Sequence, residues 1–238
     1  MISPVARWER EIDVPGDPSV RLRIHRPEGR GTALPCVVSM HGGGYTTGTP
    51  HADESLLDGW CHALGVVCVS VEYRLAPRTR YPGPLMDCYT ALTWLHAHAT
   101  ELGIHPDRIG VHGTEAGGGL AAGLALVARD HRDVPLSFQV LVHPLLDDRL
   151  PASPGWAAYL GELHTSDVVP IYAAAGRCGD LRGLPPTYVA AGSPNAEGAA
   201  YAARLAAAGI RVDLDLDGSD PTRWLAQQLR TADEQETA

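Results

Sequence analysis

The sequence predicts an α/β fold, a mostly parallel sheet with helices packed on both faces. Three observations carry this expectation. Short apolar runs alternate with helical stretches along most of the chain, the pattern of repeated strand–helix units. Glycine and proline fall between these segments more than inside them. One strand, at residues 108–112, passes through a glycine-rich corner into a helix of small residues at 118–128.

The elements follow in order. Val20-Arg21-Leu22-Arg23-Ile24-His25 alternates apolar and polar side chains, so it reads as a half-buried strand, paired with residues 7–14 as an antiparallel edge. Residues 35–40 are a short apolar run and a buried strand. Thr49 and Pro50 read as the N-cap and first residue of a helix that reaches Leu64, with Gly65 closing it. Residues 66–71 form the next buried strand. Pro84 opens a helix with apolar Leu85, Cys88, Leu92, Leu95 and Leu102, and Gly103 ends it. After the corner come strands at 136–142 and 187–191, an alanine-rich helix at 196–208 ended by Gly209, and an alternating strand at 210–216. A last helix carries Trp224, Leu225 and Leu229, and residues 231–238 are expected to be a disordered tail. Residues 151–185 break the rhythm and are expected to form a short lid-like insertion, with one helix after Ser166-Asp167. All of this fits one domain over 1–238.

Composition narrows the function. The 238 residues carry 19 basic and 28 acidic side chains, a net charge of −9, which disfavours nucleic-acid and anionic-membrane partners. The first dozen residues mix Arg7, Glu9, Arg10 and Glu11, unlike the apolar run of a signal peptide. The longest apolar stretch, 117–128, is too short and glycine-rich to span a bilayer. Five cysteines without a CxxC spacing read as reduced core thiols of a cytoplasmic protein. Eleven histidines form no HExxH or HxxxH pattern, so neither a metal nor another cofactor is expected.

Six motifs in series then resemble one family. They are His41-Gly42-Gly43-Gly44-Tyr45, Tyr73-Arg74-Leu75-Ala76-Pro77, Asp87, Gly113-Thr114-Glu115-Ala116-Gly117-Gly118, His143-Pro144-Leu145-Leu146-Asp147 and Leu184-Pro185-Pro186. In this order and spacing the chain resembles the hormone-sensitive-lipase-type esterases of the α/β-hydrolase fold. The resemblance implies an eight-stranded, mostly parallel sheet with helices on both faces and, here, a reduced cap. It implies an oxyanion hole built from the backbone amides of Gly42, Gly43 and Ala116. It places Glu115 at the nucleophile elbow, a corner that needs small neighbours because its backbone is strained and crowded. It also implies dimerisation, for which residues 210–216 and Trp224 offer a surface.

Against the family pattern, Glu115 stands where the resemblance implies a serine, Ser193 where it implies an acid, and the Asp217–Thr222 stretch carries no histidine. Glu197 and Asp220 are nearby acids, and His112 is expected to be a core residue facing away from the corner. These departures predict a non-hydrolytic enzyme. Glu115, its carboxyl raised by burial, would act as general acid/base while the amides hold an enolate oxygen, as in an elimination, cyclisation or isomerisation. The substrate would be a small apolar carbonyl compound of natural-product type, lined by Tyr45, Tyr81, Trp156, Tyr159 and His164. Hydrolysis of p-nitrophenyl esters is expected to be absent. A catalytically inactive binder and a residual esterase stay open as alternatives.

Overall fold

The computed structural model describes residues 4–14, 16–150, 155–164, 166–192, 196–217 and 220–236. Among the described residues, eight strands form one sheet in the order β1-β2-β4-β3-β5-β6-β7-β8. The strands are β1 (Val5–Val14), β2 (Asp17–Pro27), β3 (Leu34–Met40), β4 (Val67–Glu72), β5 (Ile104–Thr114), β6 (Leu136–Val142), β7 (Thr187–Ala190) and β8 (Val212–Asp215). β1 pairs antiparallel with β2, and β2 antiparallel with β4. Every pairing from β4 across to β8 is parallel. The α/β-hydrolase fold expected from the sequence is therefore the fold observed.

The residue types explain the two kinds of strand. β3 and β4 carry valine and cysteine almost without a break, because a parallel strand between two helical layers is buried on both faces. β1 lies at the edge and exposes Arg7, Glu9, Arg10 and Glu11. The described residues also form six α-helices: α1 (Glu54–Leu64), α2 (Gly83–Ala97), α3 (Ala116–His131), α4 (Gly155–Leu160), α5 (Ala196–Ala207) and α6 (Thr222–Glu236). One core layer, under α2 and α3, gathers Val38, Met40, Leu92, Val111, Leu124 and their neighbours. The other, under α1 and α6, gathers Val37, Leu57, Trp60, Phe138, Val140 and Leu225.

Three boundaries differ from the sequence reading. Residues 49–53 form turns, with Ala52 N–H bonded to Thr49 O at 3.1 Å, and α1 starts at Glu54. Its end matches, since Gly65 adopts the left-handed conformation at φ 70°. In the insertion the α-helix precedes Ser166 (α4), and the segment after Asp167 is made of turns and one short 3-10 helix, Ala175–Arg177. α6 runs to Glu236, beyond the point where the apolar pattern ends at Leu229. No helix among the described residues is long and apolar enough to cross a membrane.

Candidate active site

The parallel strands deliver their carboxyl ends to one rim, and the candidate residues collect there. β5 ends at Thr114, and α3 begins at Ala116, so Glu115 alone makes the turn between strand and helix. Its backbone sits at φ 50°, ψ −113°, a region disfavoured for any side chain but glycine. The conformation is held from both neighbours in the sheet and helix. Glu115 N–H donates to Val142 O at 2.8 Å, while Glu115 O accepts from Leu145 N–H at 3.0 Å and Gly119 N–H at 3.1 Å. The corner tolerates no bulk: a Cβ on Gly117 would run into Met40 O, and one on Gly113 into Gly117 O. This is why the residues flanking Glu115 are small.

The loop after β3 approaches Glu115 from one side. Gly43 N–H donates to Glu115 Oε2 at 3.2 Å, and a Cβ on Gly42 would lie 3.3 Å from the same oxygen. Ala116, fully buried, is the first residue of α3, where backbone N–H groups have no partner within the helix. The structure thus brings Glu115, Gly42, Gly43 and Ala116 together. It does so with Glu115 exposed to solvent, so the burial expected around its carboxyl is not there.

The loop itself is anchored from below. His41 and Tyr73 stack at 4.3 Å between ring centroids, and Tyr73 O–H donates to His41 O at 2.7 Å. Burial lowers the His41 pKa, so the neutral ring donates from Nδ1 to Gly42 O at 2.7 Å. Arg74, next in the chain, grips buried Asp87 of α2 through its backbone N–H at 2.8 Å and its guanidinium at 2.6 Å. Ala76 N–H then donates to Tyr45 O at 2.9 Å, which ties this segment back to the glycine loop.

The expected substrate-lining side chains divide. Tyr45, Trp156 and Tyr159 are buried and pack on one another, with Tyr45 and Tyr159 stacked at 4.1 Å and 3°. They fill space beside the site; they do not line an open pocket. Tyr81 is half-buried and meets Tyr159 edge-on at 5.9 Å. His164 closes the 3-10 helix Gly161–Leu163 after α4, its backbone N–H bonded to Gly161 O at 3.1 Å. The two nearby acids serve the backbone: Glu197 accepts from Leu146 and Asp147 N–H at 2.9 Å each, and Asp220 caps α6 through Thr222 N–H at 2.9 Å. Ser193 lies outside the described residues. His112 faces the opposite core, bonded to Ser39 Oγ at 2.9 Å through Nδ1. The sequence names His143 only as part of the His143–Asp147 motif, without a role of its own; it follows directly on β6, beside the corner. Its only signal was a histidine at the carboxyl end of a strand next to the elbow.

Comparison with known proteins agrees with this geometry. Residues 37–219 match the family described by the alpha/beta hydrolase fold. The carboxylesterase NlhH of Mycobacterium tuberculosis is 35% identical over 90% of this chain and 73% of its own. The hormone-sensitive lipase of Bos taurus is 35% identical over 48% of this chain and 15% of its own. A solved bacterial heroin esterase superposes with a TM-score of 0.86 at 39% identity, covering 96% of this chain and 83% of that one. These similarities overturn the expectation of a lyase-, cyclase- or isomerase-like enzyme. Relatives 35% and 39% identical over most of the chain are named esterases, which supports hydrolysis.

Proposed function

The chain belongs to the family of the alpha/beta hydrolase fold, and from that premise we propose that it hydrolyses small, apolar carboxylic esters with Glu115 in the place of the family's serine. The hydrogen bond from Gly43 N–H to Glu115 Oε2, 3.2 Å long, carries this reading. A backbone amide of the glycine loop that can hold a carboxylate oxygen can equally hold the oxygen of an ester carbonyl as it becomes an oxyanion. The Ser-Asp-His set is replaced in this reading: Glu115 stands at the elbow and Ser193 at the acid position.

The chemistry then runs through water. The ester carbonyl takes over the amides of Gly42, Gly43 and Ala116, and the Glu115 carboxylate turns from the cradle to a water molecule. Glu115 takes one proton from that water while the water oxygen bonds to the carbonyl carbon and the carbonyl π pair moves onto the oxygen held by the amides; that pair then returns as the bond to the alcohol oxygen breaks and the alcohol leaves. The aromatic packing of Tyr45, Trp156 and Tyr159 beside the loop favours a short acyl group, with Tyr81 at the edge of the space. His164 has no part in it. We place the protein in the cytoplasm, in keeping with five buried, unpaired cysteines. We also propose a homodimer through edge strand β8, where Leu214 is 39% and Leu216, just beyond its end, 60% exposed. Light scattering at the monomer mass would refute the dimer.

The decisive experiment is p-nitrophenyl acetate hydrolysis by wild type and Glu115→Gln. Wild-type turnover should fall by about 100-fold or more in the variant, the usual contribution of a general base. Equal rates in the two proteins would overturn the role of Glu115, and an inactive wild type would overturn the esterase reading.

A further inference from the structure

We infer that His143 is the group that hands a proton to the leaving alcohol, a role that rests on the ester-hydrolase reading above. Its position is fixed by the elbow. Val142 O accepts from Glu115 N–H at 2.8 Å, and Leu145 N–H donates to Glu115 O at 3.0 Å. His143 therefore lies in a short stretch pinned on both sides to the backbone of Glu115. The ring turns away from β5 toward β7, where Nδ1 is 3.2 Å from Ala191 O. Glu115 reaches the other way, toward Gly43 after β3. The carboxylate and the imidazole thus flank the carboxyl ends of β5 and β6 from opposite sides.

The placement is built, not incidental. His143 holds φ 46°, a left-handed conformation unusual for a histidine, and its own N–H donates to Ala190 O at 2.8 Å. Gly192 makes room for the ring, since a Cβ there would lie 2.5 Å from Cε1 of His143. A carbonyl can only accept, so Nδ1 carries a hydrogen in its bond to Ala191 O. That leaves Nε2 as the ring atom that gains and loses a proton. His143 is half-buried and follows directly on β6, at the rim of strand carboxyl ends where the ester would sit.

The proton balance closes with these two groups. Glu115 takes one proton from water as the water oxygen bonds to the carbonyl carbon. When the bond from that carbon to the alcohol oxygen breaks, its electron pair stays on the alcohol oxygen, which takes the proton from Nε2 of the imidazolium. The carboxyl proton of Glu115, exposed at the corner, is then released to the solvent, and the imidazole takes one up from it, so both groups return to their starting forms. The sum is ester plus water to acid plus alcohol.

The test uses leaving groups that differ in their need for a proton. p-Nitrophenolate departs without one, whereas ethoxide does not. Turnover of p-nitrophenyl acetate and of ethyl acetate would be measured for wild type, His143→Asn and His143→Gln. Asparagine is chosen because it accepts a positive φ better than other side chains. Both variants should lose about 100-fold or more on ethyl acetate while changing little on p-nitrophenyl acetate. Equal losses on both esters would show a structural role and overturn the inference, as would no loss on either. A wild type inactive on both esters would overturn the esterase reading itself, and this role with it. Activity on both in wild type, with no selective loss in the variants, overturns only the role of His143.

Discussion

Gly43 and Glu115 are bonded to each other: the amide of the glycine loop donates to the carboxylate at the elbow across 3.2 Å. The resting site is therefore filled by its own side chain, and an ester must displace it. A residue at position 43 with a side chain would remove both halves of this arrangement. Gly43 sits at φ 112°, and a Cβ there would collide with the backbone of Thr47. Gly43→Ala should cut kcat on p-nitrophenyl acetate by about 100-fold or more, the scale of losing one oxyanion donor. Unchanged kcat would show that this amide does not meet the developing charge.

The grip of Arg74 on Asp87 gives a second prediction. Asp87 is only 3% exposed, and the Arg74 guanidinium lies 2.6 Å from it. Arg74→Met leaves a buried carboxylate without its cation, which should cost about 3–5 kcal/mol. Urea unfolding would measure it. The double variant Arg74→Met/Asp87→Leu should recover part of that loss, since no buried charge remains, but not all, because the Arg74 backbone N–H loses its acceptor. A single variant as stable as wild type would refute the argument.

Tyr159 separates packing from hydrogen bonding. Its ring stacks on Tyr45 at 4.1 Å, yet its buried hydroxyl has no hydrogen-bond partner among the described residues. Tyr159→Phe should be neutral or stabilising, since it removes a buried polar group that nothing satisfies. Tyr159→Ala should cost about 3–5 kcal/mol through the lost ring and the cavity left behind. Thermal unfolding of the pair would test this, and a marked loss in the phenylalanine variant would reveal a partner for the hydroxyl.

His112 links stability to acid. Full burial pushes its pKa from 6.5 down to about 4, so the folded chain keeps it neutral where the unfolded chain would protonate it. The unfolded state then binds the extra proton, and stability falls as pH drops from about 6.5 to about 4. The contribution at stake is about 3 kcal/mol, on the scale of 1.36 kcal/mol per pKa unit. His112→Leu should flatten the fall of unfolding free energy across that window, in spite of leaving Ser39 Oγ without its partner. An identical slope in wild type and variant would mean that other groups govern acid sensitivity.

Much of this was legible in the sequence where the signal is local. β6 occupies the expected residues because an apolar run is bounded by Pro135 on one side and His143-Pro144 on the other. Gly65 closes α1 as expected because the left-handed conformation favours glycine. What was not legible depends on contacts far along the chain. Thr49-Pro50 has the residues of a helix start, but the chain turns there and the helix begins at Glu54. Tyr45, Trp156 and Tyr159 were expected in a pocket because they are aromatic and near the site. Only the packing of α4, with Gly155 against Gly44 O, shows that they close on one another. The inferred function went wrong by a different route. The departures at Glu115, Ser193 and the 217–222 stretch point away from hydrolysis, whereas the likeness of the rest of the chain to named esterases points toward it.

The strained backbone of Glu115 yields the last prediction. Its φ of 50° with ψ −113° is costly for any residue with a Cβ, typically by about 1–3 kcal/mol. Glu115→Ala and Glu115→Gly both delete the carboxylate, so both should abolish ester hydrolysis under the proposed mechanism. They differ only at the backbone. Glycine relieves the strain but enlarges the freedom of the unfolded chain, a counter-cost of about 0.5–1 kcal/mol. The glycine variant should therefore be more stable than the alanine variant by about 1 kcal/mol. Urea midpoints of the two inactive variants would measure this, free of any effect of the side chain. If alanine proved the more stable, the corner would not be strained, and the small residues around it would need another explanation.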